Sequence, residues 1–162
     1  MNQSSTNSNT LNIRDQRIAF IHASWHTDIV LNCWEGFRNE MAERGYDVDK
    51  FDLIAVPGAY EIPLQAKLLA KTGRYAAIAC SALVVDGGIY RHDFVAQAVV
   101  DGLVRVGLDT DVPVLSVSLT PHSYQETDFH NAAFAEHFVK KGREAANAAL
   151  QIVKTRAAIK GA

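Results

Sequence analysis

The sequence predicts a single α/β domain of three layers, a four-stranded parallel sheet flanked by helices, and three observations carry that expectation. Short apolar, β-favouring runs alternate with stretches of helical periodicity along the whole chain, the order β-α-β-α-β-α-β-α. One of those runs, AAIACSALVV at Ala76 to Val85, is almost wholly apolar, as a strand covered on both faces must be. The 162 residues, 48% of them hydrophobic, are enough for one self-sufficient core and too few for a second domain.

Taken in order, the elements each have a local reason. The first sixteen residues, MNQSSTNSNTLNIRDQ, lack the charged start and apolar stretch of an export signal and are expected to be a flexible tail. Arg17 to Ala23 (RIAFIHA) is a strand. From Asp28 the period lengthens, with Ile29, Cys33, Phe37 and Met41 four apart and Val30 and Trp34 beside them, a helix that Gly45 ends. Phe51 to Val56 is the next strand, stopped by the turn pair Pro57-Gly58. Pro63 suits the first turn of the following helix, where its missing N–H has no partner to lose, and Gly73 closes that helix. After the apolar run come Asp86-Gly87-Gly88, a helix marked by Phe94, Ala98, Val95, Val99, Gly102 and Val106, a strand from Val114 to Thr120, and a final helix from about Ala132 to Thr155. Residues 157–162 are expected to trail off. The aromatic positions Trp34, Phe37, Phe94, Phe134 and Phe138 recur at helical spacing and are expected in the core or at subunit contacts.

Several functional classes are excluded. Sixteen Lys and Arg against eighteen Asp and Glu leave a formal charge of −2, without the basic excess that binds nucleic acid. No apolar run reaches the ~18–20 residues of a membrane span. The two cysteines, Cys33 and Cys80, belong to no closely spaced pair and suit buried thiols in a reducing cytosol. None of the six histidines falls in a metal-ligand spacing, so no metal is expected. Neither GxxxxGK[ST] nor GxGxxG is present, which removes the main support for ATP or NAD binding. A response-regulator pattern fails as well, because His22-Ala23-Ser24-Trp25 stands where an acidic pair is required.

In open parallel sheets ligands bind beyond the carboxyl ends of the strands, and the remaining segments of interest all fall there. Gly87-Gly88 between strand and helix either turns a corner or presents bare amides to an anion at a helix N-terminus. Arg91 follows in what the pattern makes the first helical turn, where the dipole disfavours a cation by roughly 0.3–1 kcal/mol unless an anion is bound or Asp86 or Asp93 neutralises it. Glu61, in VPGAYEIP, either caps the helix it opens or accepts hydrogen bonds from ligand hydroxyls. Trp25 either lids the core or stacks on a flat heterocycle.

Together, the strand leading to Trp25-His26, the segment PGAYEIP, the loop LVVDGGIYRHDFV and the strand PVLSVSLT resemble lumazine synthase over residues 17–156, most closely its type II alphaproteobacterial branch. The resemblance implies a flavodoxin-like fold and a cytoplasmic, cofactor-free enzyme assembled as a decamer of two pentamers, with its sites between subunits. The implied reaction condenses 5-amino-6-(D-ribitylamino)uracil with 3,4-dihydroxy-2-butanone 4-phosphate to give 6,7-dimethyl-8-ribityllumazine and phosphate, the penultimate step of riboflavin synthesis. Two small molecules, one phosphorylated, are therefore the expected partners. By the same resemblance Trp25 and the neighbouring His26 meet the pyrimidine, Ala59, Tyr60 and Glu61 hold the ribityl chain and ring edge, and Leu83, Val84 and Val85 read the uracil. Ser116 takes a wall position that is aromatic in other members. Gly88 and Ile89 supply phosphate-cradling amides, and Lys141 is a basic residue near the site.

The chain departs from the family pattern twice. Arg91 stands where the catalytic histidine is usual and His92 where an aromatic is usual. Arginine keeps its proton, so Arg91 can polarise a carbonyl or hold phosphate while proton transfer would fall to His92. No arginine lies between Arg105 and Arg143, where the family supplies one to phosphate, and His130 is the expected substitute. These departures also suit an alternative, a low-activity homologue that binds flavins or lumazines without turning them over.

Overall fold

The computed structural model describes residues 16–161; of the expected sixteen-residue tail, residues 1–15 lie outside the described residues. Four strands, β1 (Arg17–Ala23), β2 (Asp52–Val56), β3 (Tyr75–Leu83) and β4 (Val114–Leu119), form one all-parallel sheet in the order β2-β1-β3-β4. Four helices connect or follow them: α1 (Thr27–Glu43), α2 (Ile62–Lys71), α3 (His92–Thr110) and α4 (Asp128–Ile159). The predicted three-layer α/β sandwich is the fold observed.

The two-residue period of a strand divides the core in two. Ile18 and Phe20 of β1, with Ala77, Ala79 and Leu83 of β3, face α1 and α4. Ala19, Ile21 and Ala23, with Ile78, Cys80 and Ala82, face α2 and α3. Central β1 and β3 are thus buried on both sides, which is why the sequence of β3 is almost continuously apolar. Edge strands β2 and β4 keep partly exposed positions. Phe20 anchors the first layer, its ring edge-on to Trp34 and Phe37 with centroids 5.3 Å away in both cases. Phe37 and Phe138 are fully buried and Trp34 and Phe134 partly so, whereas Phe94 is 64% exposed and belongs to neither core cluster.

Helices α1 and α4 approach so closely that their backbones touch through glycine. A Cβ on Gly36 would lie 2.0 Å from the Val139 carbonyl oxygen, and one on Gly142 would lie 2.0 Å from that of Cys33. Arg143, next along α4, donates from Nη1 to Glu40 at 2.8 Å and from Nη2 to Glu43 at 3.0 Å across the same crossing. Both carboxyls are thereby held below their usual range, Glu40 chiefly by its own-helix partner Arg44 and Glu43 by Arg143.

The amino ends of the strands are tied by a polar staple. Asp52 accepts from Tyr75 Oη at 2.6 Å and from Arg17 Nη2 at 2.9 and 3.0 Å, linking β2, β3 and β1. This leaves the opposite, carboxyl edge to the long loops.

Helix boundaries differ from expectation at α4, which starts four residues before Ala132. Thr127 caps it by accepting from the His130 N–H at 3.3 Å, and the first turn faces outward, so it carries none of the apolar period that marks the rest. At the other end α4 runs to Ile159, so much of the expected tail at residues 157–162 is the last helical turn.

Candidate active site

The carboxyl edge of the sheet holds a cavity of about 480 Å³ walled by the ends of three strands. From the turn after β1 come Trp25 and His26, from the turn after β2 Ala59 and Tyr60, and from the end of β3 Leu83 with Val84 and Val85 just beyond it. Gly87, Ile89 and Tyr90 of the following loop, then Arg91, His92 and Val95 at the start of α3, close the remaining side. Trp25, Tyr60, Ile89 and Tyr90 are between 68% and 85% exposed, a density of large apolar groups in open view that marks a surface built to be covered.

Each wall has a local cause. His26 takes a left-handed backbone (φ 55°, ψ 39°) at the N-cap of α1, and its carbonyl accepts from the Ile29 and Val30 N–H groups at 2.9 Å each. That sharp entry turns Trp25 outward, and its indole lies against Gly58, where a Cβ would come within 3.1 Å of Cζ3. Gly58 in turn donates its N–H to Glu61 Oε2 at 2.9 Å, so Glu61 does act as a cap. The side chain is exposed and forms no part of the cavity wall proper. Tyr60 and Trp25 thus stand on either flank of one tight turn, which a Pro-Gly pair and a capping carboxylate hold in place.

The loop after β3 turns on Gly88, whose φ of +81° is costly for any residue with a Cβ. Its N–H donates to Asp86 Oδ1 at 2.7 Å. Arg91 is corrected from the first helical turn to the N-cap of α3, with extended backbone (φ −76°, ψ 104°). Arg91 and His92 both line the cavity. The Arg91 guanidinium is paired with Asp93 at 2.6 Å and lies 4.4 Å over the Phe94 ring. This contact lowers the Asp93 carboxyl below its usual range.

Three predicted residues lie elsewhere in the chain. Ser116 and Lys141 line a separate groove of about 440 Å³ between edge strand β4 and α4, where Lys141 pairs with Glu144 at 2.6 Å. His130 stands on the first turn of α4 beside Tyr124 and Phe134. Its Nδ1 accepts the Gln125 N–H at 2.8 Å, which assigns the ring proton to Nε2 and leaves that atom as a donor. Gly87, already marked in the sequence with Gly88, lines the main cavity, and Ala23, Tyr90 and Val95 line it without having been anticipated. The available signal for Tyr90 was an apolar pair, Ile89-Tyr90, in a glycine-opened loop with no core to enter. Cys33 and Cys80 are buried away from the site; burial pushes the Cys33 thiol up to about 12 and raises that of Cys80 as well. Among the described residues no three His, Cys, Asp or Glu side chains converge as a metal would require, and no helix is long and apolar enough to cross a membrane.

Fold and cavity together define an open α/β protein with its cavity beyond the carboxyl ends of its strands, where ligands bind in such sheets, and with a glycine turn and an arginine in the cavity wall. The family model of 6,7-dimethyl-8-ribityllumazine synthase matches residues 15–157, and the chain belongs to that family. It is 59% identical over 147 residues to the 6,7-dimethyl-8-ribityllumazine synthase of Rhodococcus erythropolis, covering 91% of this chain and 95% of the relative. Two relatives named 6,7-dimethyl-8-ribityllumazine synthase 2 follow. That of Pseudomonas syringae pv. tomato is 57% identical over 82% of this chain and 78% of its own length. The Bradyrhizobium diazoefficiens protein is 48% identical over 83% of this chain and 81% of its own.

Proposed function

We infer that this chain condenses 5-amino-6-(D-ribitylamino)uracil with 3,4-dihydroxy-2-butanone 4-phosphate to 6,7-dimethyl-8-ribityllumazine, releasing phosphate. The observation that carries the chemistry is the convergence of an exposed indole, a strand end rich in backbone groups, a glycine turn and Arg91 with His92 around one cavity. In this reading Trp25 stacks on the pyrimidine, and its edge pairs with backbone groups of Leu83 to Val85 other than the Val84 N–H, which donates to the Leu119 carbonyl at 2.9 Å. Tyr60 and the outward oxygen of Glu61 take the ribityl hydroxyls, with Ala59 and His26 as flanking wall. Gly88 and Ile89 offer amides to the phosphate at the start of α3, where the helix dipole adds attraction for an anion.

The reaction needs an amine to attack a ketone, phosphate to leave and a ring to close. Holding the two substrates together supplies much of the acceleration. Arg91, always protonated, supports the developing negative charge at carbonyl or phosphate oxygen. In this reading His92, next to Arg91 in the cavity wall, carries a proton between intermediates.

Ser116, His130 and Lys141 fit this reading when contributed by a neighbouring copy, because in one chain the β4–α4 groove and the main cavity are separate. Self-association of that kind, into pentamers and a decamer of two pentamers, is part of the proposal. Mixing purified protein with both substrates and following lumazine absorbance tests it. Turnover above the buffer rate is expected, and a rate equal to buffer overturns it.

A further inference from the structure

The turn after β3 already holds two anions of its own. Asp86 Oδ1 takes the Gly88 N–H at 2.7 Å, and Asp93 takes the Arg91 guanidinium at 2.6 Å from Nη2 and 3.3 Å from Nε. From Asp86 to Asp93 the turn carries two carboxylates and one guanidinium, so by itself it is negative, the wrong sign for a phosphate site that is simply open. The two engagements differ in kind. Asp93 lies in the first turn of α3, where a carboxylate is favoured whether or not a ligand binds. Asp86 lies in the loop, outside any helix, and its carboxylate sits on the very amide that an incoming phosphate oxygen would use.

We propose that Asp86 is an internal counter-anion of the phosphate subsite: its carboxylate occupies the Gly88 amide in the unliganded protein, yields it to the substrate's phosphate, and sets how weakly that phosphate is held. This rests on the reading of the turn as the phosphate subsite. One N–H cannot serve two anions at full strength, so binding is an exchange, and the displaced carboxylate remains as a like charge nearby. At about 5 Å such a charge weakens binding roughly 4-fold at the dielectric of water, and more where the cavity is partly closed. The same exchange favours release of inorganic phosphate after the leaving step, since Asp86 regains its partner as phosphate departs. Asp86 is thus a specificity-determining residue that acts on affinity and release without taking part in bond making.

The test uses the full chain and inorganic phosphate as the titrant in calorimetry. Asp86→Asn keeps an Oδ1 acceptor for the Gly88 N–H and removes the charge. It is expected to tighten phosphate binding at least about 4-fold and to lower KM for the phosphorylated substrate, with KM for the pyrimidine unchanged. Asp101→Asn, on the outer surface of α3 beside Gln97, makes the same change in net charge away from the turn and should leave phosphate binding as it was. Unchanged or weaker phosphate binding by Asp86→Asn, or equal tightening by Asp101→Asn, overturns the proposal. Asp86→Ala serves in its place if circular dichroism finds the Asn variant unfolded, with the same expected direction. Arg91→Ala separates the two levels of inference. If it weakens phosphate binding while Asp86→Asn does nothing, the subsite reading stands and the role of Asp86 fails. If it leaves phosphate binding untouched, the subsite reading itself fails.

Discussion

Replacing Gly142 by Ala should destabilise the protein although alanine is the better helix former. The new Cβ would lie 2.0 Å from the Cys33 carbonyl oxygen and 2.8 Å from the Phe37 nitrogen, both backbone atoms that no rotamer change can move aside. Reaching an ordinary carbon–oxygen contact of ~3.3 Å needs α1 and α4 to part by roughly 1.3 Å at the crossing. A gap of even 0.5–1 Å forfeits a quarter to a half of each dispersion well, and the side chains around this crossing, Cys33, Phe37 and Phe138, are completely buried. Overpacking of this kind costs about 1–3 kcal/mol, here at the upper end because the obstacle is backbone. The helix-propensity gain from Gly to Ala returns about 1 kcal/mol. The net loss of about 2 kcal/mol corresponds to a fall in Tm of roughly 4–8 °C for a chain of this length. Thermal unfolding followed by far-ultraviolet circular dichroism, at one fixed protein concentration because self-association adds stability, measures it. Gly36→Ala, facing the Val139 carbonyl, should behave alike, and the double substitution should cost less than the two losses added, since the helices need part only once. A Gly142→Ala protein as stable as wild type, or more stable, would refute the close crossing.

At the site, Gly58→Ala should push the Trp25 ring, now 3.1–3.2 Å from the position of the added carbon, and raise KM for the pyrimidine substrate by several-fold with little change in Tm; an unaltered KM would separate Trp25 from pyrimidine binding. Acid should destabilise the fold from about pH 4 downward. Hydrogen bonds from Tyr75 and Arg17 hold Asp52 below its usual range, as Arg44 and Arg143 do for Glu40, so their stabilisation is complete above the unfolded carboxylate pKa and is lost as pH falls through the lower folded values. Asp52→Asn should flatten the dependence of Tm on pH between about 2.5 and 5, and a slope equal to wild type would exclude that contribution. The thiols of Cys33 and Cys80 should stay unmodified by an aromatic disulfide reagent at pH 8 in the native protein and react fully in denaturant, because burial holds both in the thiol form; rapid native labelling would contradict their placement.

Local pattern was enough for most of the architecture. The alternation of short apolar runs with helical periods carries the order of elements, and the unbroken apolar run of β3 announces a strand covered on both faces. The chemistry-bearing segments were visible for the same reason: Trp25, Pro57-Gly58, Glu61 and Gly87-Gly88 all interrupt that pattern where strands end. Start and end of α4 were not visible, because its outer turns touch no core and so leave no period in the sequence.

Other properties come into being only when distant parts of the chain meet. Gly36 and Gly142 are ordinary helical glycines until α1 crosses α4, when each becomes the only residue that fits. Glu61 and Trp25 were each open to two interpretations, and the turn that places both against Gly58 assigns Glu61 a capping role while leaving the indole exposed. Ser116 and Lys141 share a groove because β4 is an edge strand with α4 beside it, an arrangement that depends on strand order rather than on any local signal. Arg91 was legible as a cation beside an anion site, but its pairing with Asp93 and the hold of Asp86 on Gly88 are matters of a few ångströms in a folded turn. Composition and periodicity govern which surfaces are buried, since burial averages over many residues. Which charge meets which amide depends on single distances, and those exist only in the folded chain.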